Sequence, residues 1–244
     1  MVKSLSGEMP FLEHLEELRW RVIKSVVAVV LCAVPCGIFW KRIFDIIMIY
    51  PLRFADPKPK LIYTSPAESI ILSIKIALAS GILLSVPLIF YQLWKFVSPG
   101  LYGKEKKVVF PVVIVSTLFF MAGVTFSYFT FPFLMKFLTS FAADRLDPFF
   151  KAGDYFGFLL KISLSFGVVF ELPVISYVLA RLGLITAGFL MKNFRYALLG
   201  IFVLAAVLTP PDILSQLMLA LPLIFLYGVS VVVAYFASKE KKTS

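Results

Sequence analysis

Long apolar runs alternate with short polar segments along the chain, and most runs have the length of a membrane-spanning helix. A helix needs about 20 mostly apolar residues to cross a bilayer. The fifth run is shorter: about 14 residues rising about 1.5 Å each reach only about 21 Å, so it crosses incompletely or the bilayer thins around it. The pattern predicts six transmembrane helices, at about residues 22–40, 70–94, 108–134, 155–180, 195–208 and 213–237.

These runs predict the fold class, an all-α integral membrane protein whose 244 residues form a single membrane domain. Ahead of the first span, segment 10–21 places its apolar residues on one helical stripe and predicts an amphipathic helix at the cytoplasmic interface. We expect the last two helices to be short, which leaves the molecule with one thin side. Residues 238–244 are expected to form a cytoplasmic tail.

Composition supports the membrane class and gives an orientation. The chain is 60% hydrophobic and 16% charged, more apolar than a soluble domain. Of its 24 Lys and Arg residues, 14 fall on the side of the N-terminus, 8 fall on the opposite side and two lie within spans. Because cytoplasmic loops are enriched in Lys and Arg, both termini are predicted in the cytoplasm of a prokaryotic inner membrane. The net charge of +10 is scattered over short loops and does not indicate a nucleic-acid partner.

The residues that carry most metal and redox chemistry are scarce. His14 is the single histidine, and Cys32 and Cys36 lie four residues apart on one face of the first span, where they are expected to act as small packing residues. The sequence contains neither a phosphate-binding P-loop nor a G-x-S-x-G motif. We therefore expect no enzymatic activity and no metal or cofactor.

One acidic residue, Glu171, lies inside an apolar run, in the stretch SFGVVFELPVIS. A charged carboxylate at the bilayer centre costs roughly 2.5–3.5 kcal/mol on insertion scales. On a helix Ser163, Gly167 and Glu171 form a small, polar stripe, and Pro173 is expected to kink the helix. Such a stripe suits an internal hydrogen bond, a closely approaching helix or a water-filled cleft, or the cation or proton site of a transporter.

Three further segments carry polar residues whose role the pattern leaves open. The stretch PFLEHLEELRWR is either a solvated helical face with a Glu17–Arg21 pair or a binding surface. In FVSPGLYGKEKK, Glu105 is the single acid within a basic collar that orients the protein or binds a ligand. In LTPPDILSQ, Asp212 is placed to cap the sixth helix, and Gln216 follows one turn later on the same side.

The strings HLEELR, TSPAES, FVSPGLYGKE, FGVVFELPV and TPPDILSQ occur in this order on the expected sides of the six spans. In this the chain resembles the TatC family, the multi-spanning core of the twin-arginine, or Sec-independent, protein translocase. The resemblance runs from about Met9 to about Ala237. It implies a receptor that binds twin-arginine signal peptides, assembles with single-span TatA- and TatB-type subunits and with further copies of itself, and exports folded proteins using the proton motive force.

The resemblance also implies site residues. Those implied for signal-peptide binding are Glu17, Glu105, Arg19, Phe96, Leu101 and Tyr102. Glu171, with Ser163 and Gly167, is implied to face a concave cleft on one side of the molecule and to contact partner helices. The implied polar and turn positions on the outer side are Asp212, Gln216, Pro51, Pro66 and Glu68.

Elementary energetics agree with a two-part site. Carboxylates bind guanidinium groups through paired hydrogen bonds that lysine does not copy, so two acids suit two adjacent arginines. Each pair contributes roughly 0.2–1 kcal/mol when exposed, whereas micromolar binding needs about 8 kcal/mol. The arginines would then supply specificity, and the apolar part of the signal peptide would supply affinity. The competing hypotheses are an ion- or proton-coupled small-solute transporter that uses Glu171, and a purely structural scaffold.

Overall fold

The computed structural model describes residues 11–53, 60–97, 109–140, 149–209 and 213–243. Within them the chain is helical except for two short strands and the connecting turns. The helices are α1 (Phe11–Ile38), α2 (Trp40–Phe44), a π-helix (Asp45–Ile49), α3 (Tyr50–Leu52), α4 (Pro66–Val97), α5 (Val109–Ser140), α6 (Ala152–Phe170), α7 (Leu172–Leu182), α8 (Ala187–Lys192), α9 (Phe194–Leu208) and α10 (Ile213–Thr243). The strands are β1 (Lys60–Ile62) and β2 (Phe149–Lys151).

Five of the described helical segments are long and apolar enough to cross a membrane: Glu13–Ile38, Pro66–Val97, Phe110–Ser140, Ala152–Leu182 and Ile213–Ser238. They correspond to five of the six predicted spans. The remaining one, 195–208, is the 15-residue helix α9, which is as short as predicted. The number of crossings and the placement of the termini stay predictions.

The expectation that the last helix is short is wrong. Helix α10 has 31 residues and continues through the segment 238–243 that was expected to be a separate tail. The Lys and Glu residues there favour helix, so the end of the apolar run does not end the helix. For the same reason α1 is a single helix of 28 residues, with no break between the amphipathic segment 10–21 and the span that follows.

Helix α1 packs along α4, α4 packs on α5, α5 packs on α6, and α7 and α9 both pack on α10. Small residues let α1 and α4 approach closely, because a Cβ added at Gly81 would lie 2.7 Å from the Cα of Ala33. Such small-residue contacts are typical of helix pairs in membranes. The largest buried cluster joins α4, α5, α6, α9 and α10 around Phe131, Phe156 and Phe166.

The fourth predicted span is interrupted at Glu171, between α6 and α7. Pro173 lacks an N–H group and its ring excludes the regular helix backbone before it, so the interruption lies where the sequence predicts a kink. The Glu171 N–H donates to the Val168 carbonyl at 3.1 Å, while the Ile175 N–H donates to the Glu171 carbonyl at 2.8 Å.

The structure contains two short strands, β1 and β2, that the all-α prediction did not include. They pair in parallel, with Lys60 opposite Phe149 and Ile62 opposite Lys151, and they join the segments that precede α4 and α6. Each has only three residues, too few for an alternating pattern to distinguish a strand from a loop. The helical prediction otherwise describes the fold.

Candidate functional site

The first candidate site lies near the N-terminal end of α1, where Glu17 is fixed to its own helix. The Arg21 Nε atom donates to Glu17 Oε1 at 3.0 Å, and Arg21 Nη2 contacts the same oxygen. This confirms the predicted pair four residues apart. Arg21 Nη1 also donates to Gln92 Oε1 on α4, at 3.4 Å. Arg21 therefore holds the carboxylate within α1 and links it to α4 through Gln92.

The second Glu17 oxygen, Oε2, lies near a stacked pair of rings, His14 and Phe96. The His14 ring is stacked on Phe96 of α4, with centroids 4.2 Å apart and 13° between the planes. His14 Nδ1 lies 3.7 Å from Glu17 Oε2, and this oxygen is buried without a hydrogen bond to any described residue. Phe96 and Glu17, both predicted site residues, are thus brought together by a residue that the sequence analysis did not assign.

The other predicted members of this site are only partly placed. The Arg19 side chain is exposed on α1. Leu101, Tyr102 and Glu105 lie outside the described residues, so their contribution stays a prediction. The described part of the site contains one acid, one aromatic ring and the groups that hold them.

The second candidate site is the intramembrane acid. Glu171 is only 5% exposed, and neither carboxyl oxygen makes a hydrogen bond of good geometry among the described residues. Its polar neighbours are the hydroxyl of Ser116 and the backbone of Phe120, both on α5. On its other side lies a cavity of about 220 Å³ whose remaining lining is apolar: Phe90, Leu93, Trp94, Val97, Ile175, Val178, Leu179 and Leu182. A concave cleft around Glu171 stays a prediction.

The polar groups around Glu171 are mostly used within the bundle. The indole N–H of Trp94 donates to Ser116 Oγ at 2.9 Å. Farther along the predicted stripe, Ser127 Oγ donates to Ser163 Oγ at 2.9 Å, and a Cβ added at Gly167 would lie 2.6 Å from the Phe120 ring. Ser163 and Gly167 therefore face α5 in this structure.

The outer-side prediction included Glu68, which the structure places in a network. Its Oε2 accepts hydrogen bonds from the Thr64 N–H at 2.9 Å and the Thr64 hydroxyl at 3.2 Å. Its Oε1 accepts from the Gly153 N–H at 3.2 Å, and Lys151 Nζ lies 4.0 Å from Oε2. Glu68 thus ties the start of α4 to the start of α6, beside the paired strands.

The remaining outer-side residues are separate from that network. Gln216 Nε2 donates to the Phe202 carbonyl at 2.9 Å and links α10 to α9. Pro51 is buried in α3, whereas Pro66 is exposed at the first position of α4, where a missing N–H costs nothing. Asp212 lies outside the described residues, so its role as a helix cap stays a prediction.

Comparison with known proteins identifies the family. Residues 13–222 match the family model of TatC, described as Sec-independent protein translocase protein. The chain belongs to the TatC family. The TatC protein of Helicobacter pylori strain J99 is 41% identical over 230 residues, which cover 94% of this chain and 90% of that protein. The TatC protein of Aquifex aeolicus is 37% identical over 237 residues, which cover 96% and 98%.

A solved structure agrees with the TatC assignment. The crystal structure described as twin arginine translocase receptor TatC has a TM-score of 0.82 and 36% sequence identity. It covers 92% of this chain, and this chain covers 99% of it. As a TatC-family member, the protein is a component of the Sec-independent protein translocase and a multi-pass membrane protein.

Sequence reasoning missed His14 and Ser116, which lie against predicted site residues of this TatC chain, and Gln92, which accepts a hydrogen bond from Arg21 beside them. His14 was considered only as a metal ligand, and among the described residues no group of three His, Cys, Asp or Glu side chains is arranged to hold a metal ion. A signal for His14 existed, since it lies three residues before Glu17 and therefore on the same helical face. Gln92 and Ser116 reach the site from distant segments, so spacing does not reveal them.

Proposed function

We propose that this chain is the receptor and core subunit of the twin-arginine translocase. It binds twin-arginine signal peptides at its cytoplasmic face and organises single-span TatA- and TatB-type subunits, and the complex exports folded proteins across the inner membrane using the proton motive force. The observation that carries the proposal is the Glu17 carboxylate, which two helices hold beside an aromatic ring with one oxygen lacking a hydrogen bond to any described residue.

The chemistry of this carboxylate suits arginine better than lysine. A carboxylate offers about four lone-pair positions, and Arg21 occupies only one of the two oxygens. The second oxygen makes no hydrogen bond to a described residue and would accept one from an incoming guanidinium, whose planar shape also stacks on an aromatic face such as Phe96. Lysine has a compact ammonium group that stacks less well. Glu105 is the second acid in this proposal and pairs with the second arginine.

The membrane part of the proposal rests on Glu171. Its carboxyl group is buried without a well-formed hydrogen bond among the described residues, which is costly unless a partner completes it. We infer that a partner helix supplies the donor, and that the apolar segment of the signal peptide binds in the same region. Further copies of the chain assemble around this unit. Both termini lie in the cytoplasm in this proposal, as the Lys and Arg distribution predicts.

The transporter hypothesis is not favoured, because the family match covers residues 13–222 and names a protein translocase component. A transporter would use Glu171 as an ion site. In the proposed translocase, Glu171 instead forms a hydrogen bond that determines which partner helix binds.

The test is signal-peptide binding to the purified full-length protein in detergent. A twin-arginine peptide is compared with the same peptide carrying two lysines, on wild type, Glu17→Ala and Glu105→Ala. We expect the arginine peptide to bind about tenfold more tightly to wild type, roughly 1.4 kcal/mol, because the bidentate contact is lost with lysine. Each acid variant should lose most of this difference.

Glu16→Ala is the matched control, since Glu16 is an exposed acid on the same helix, next to Glu17. It should keep the preference for arginine. Equal binding of both peptides to wild type would refute the receptor proposal. A preference that survives in Glu17→Ala and Glu105→Ala would place the arginine site elsewhere.

A further inference from the structure

The His14 ring occupies a position that would also suit the guanidinium group of an arginine. It lies nearly parallel to Phe96, at 4.2 Å between centroids, and its Nδ1 atom points toward Glu17 Oε2. Imidazole and guanidinium are both planar, both carry N–H donors and both stack on aromatic rings. The cluster thus contains an internal side chain with the shape and chemistry of the proposed ligand.

The contact between His14 and Glu17 is loose. The separation of 3.7 Å between Nδ1 and Oε2 is beyond hydrogen-bond range, so the oxygen is covered but not satisfied. By contrast, Arg21 donates to Oε1 at 3.0 Å and holds the carboxylate in place. Glu17 Oε1 is therefore fixed by a hydrogen bond, while Oε2 lies near His14 without a hydrogen bond to it.

His14 is also free to leave without disturbing the packing of the bundle. Its side chain is 39% exposed, and it lies in the first turns of α1, well before the close contact of α1 with α4 at Ala33 and Gly81. A rotation about its side-chain bonds would take the ring off the Phe96 face and away from Glu17 Oε2. The Glu17 side chain would stay in place, because Arg21 donates to it and is itself held by Gln92.

We propose that the His14 imidazole occupies the position that the guanidinium of a signal-peptide arginine takes on binding. In the unliganded receptor it covers Glu17 Oε2 and the Phe96 ring. An arriving arginine displaces the imidazole, donates to Oε2 and stacks on Phe96, so the receptor exchanges a loose contact for a hydrogen-bonded one. This inference rests on the proposed function, because it names the groups that one arginine of the motif contacts and the group that it must remove.

The first test is peptide binding to His14→Ala. Removing the competitor should tighten binding of the twin-arginine peptide by about two- to tenfold, the range expected for an aromatic stacking contact that no longer has to be broken. The twin-lysine peptide should change less, since an ammonium group does not take over the stack. Phe96→Leu should weaken the arginine peptide selectively, because it removes the surface on which the guanidinium stacks.

The second test observes His14 directly in the wild-type protein. His14 is the single histidine of the chain, so carbethoxylation by diethyl pyrocarbonate, mapped by mass spectrometry, reports on one imidazole. A saturating twin-arginine peptide that lacks histidine should raise the rate of His14 modification, since the ring leaves Phe96. The twin-lysine peptide should raise it less.

The outcomes separate this inference from the proposed function. If wild type does not prefer the arginine peptide, the receptor proposal fails. If wild type prefers it but His14→Ala binds no more tightly, or the peptide protects His14 from modification, then His14 is not displaced and this inference alone is refuted. The modification experiment uses the wild-type protein, so it does not depend on how well His14→Ala folds.

Discussion

Glu68 and Glu171 are both buried glutamates, 9% and 5% exposed, but their carboxyl groups have opposite surroundings. Glu68 accepts two N–H hydrogen bonds and one hydroxyl hydrogen bond, and a lysine ammonium lies 4.0 Å away. Glu171 has a hydroxyl and a backbone segment nearby but makes no well-formed hydrogen bond among the described residues. The same residue type at similar burial is thus satisfied in one region and left incomplete in the other.

The difference follows from where each residue lies on its helix. Glu68 is in the first turn of α4, where the helix dipole favours a negative charge and unpaired N–H groups are close by. Glu171 lies between the C-terminal end of α6 and the N-terminal end of α7, where the two helix dipoles oppose each other, and its side chain makes no capping hydrogen bond to either helix. Local backbone chemistry therefore stabilises the first carboxylate and does nothing for the second.

A satisfied acid and an incomplete acid serve different purposes. Removing Glu68 would leave N–H donors on two segments without their acceptor, so its role is to hold the fold together. Removing Glu171 would leave few groups unpaired, so the fold does not explain its presence. We infer that the binding of another helix does. Three experiments test this contrast.

The largest expected effect is on folding stability. Glu68→Ala should cause the largest loss of thermal stability among these variants, since the Thr64 and Gly153 N–H groups and Lys151 lose their common acceptor. Glu171→Ala should unfold at or above the wild-type temperature, because a buried carboxyl group without good hydrogen bonds is removed. Thermal unfolding of the purified proteins in one detergent gives the comparison.

Thr64→Val refines the stability comparison. It removes one hydroxyl hydrogen bond to Glu68 but keeps the backbone N–H bond, so its loss should be a small part of that of Glu68→Ala. If Glu171→Ala were instead as destabilised as Glu68→Ala, the contrast between the two acids would be wrong. Glu171 would then be a structural residue as well.

The second effect is on assembly. Glu171→Ala should weaken retention of TatA- and TatB-type subunits by about 5- to 20-fold, which corresponds to the loss of one interhelical hydrogen bond worth about 1–1.7 kcal/mol in a membrane. Glu171→Gln should keep most of the retention, because an amide still donates and accepts. Co-purification of the subunits from membranes, at matched receptor amounts, measures the change.

Glu68→Gln serves as the control for that assembly experiment, since it alters a buried acid that we assign to the fold. The amount of TatA- and TatB-type subunits that co-purifies with Glu68→Gln should decrease only in proportion to the amount of folded receptor. Unchanged co-purification with Glu171→Ala would remove the proposed partner role. The incomplete carboxyl group would then have no explanation in this structure.

The contrast between Glu68 and Glu171 also shows which features of the structure can be predicted from the sequence. The spans follow from apolar runs that are long and uniform, and the break near Pro173 follows from the missing N–H of proline. The Glu17–Arg21 pair follows from a spacing of four on one helix. Each of these rests on residues close together in the chain, where one helix period fixes the geometry.

Contacts between distant segments were not predictable in this way. Gly153 donates to Glu68 from 85 residues away, and its partner role depends on how α4 and α6 start side by side. The stack of His14 on Phe96 depends on the register of α1 against α4, and that register is set by the close contact of Gly81 with Ala33. The full length of α10 was not predictable either, because the apolar run marks the span and not the end of the helix.

The smallest expected effect concerns Ser116, the polar neighbour that Glu171 shares with Trp94. Ser116→Ala removes the acceptor of the Trp94 indole N–H and should lower the free energy of unfolding by about 1 kcal/mol. Trp94→Phe should cost at least as much, and the double variant should cost less than the two losses added together, because both remove the same hydrogen bond. Partner retention should stay at the wild-type level in Ser116→Ala, since the proposal assigns the Glu171 carboxyl group to the partner helix. If Ser116→Ala lost partners as strongly as Glu171→Ala while its stability stayed unchanged, the two residues would act as one polar site. The incomplete carboxyl group would then be completed by its own neighbour, and the contrast with Glu68 would disappear.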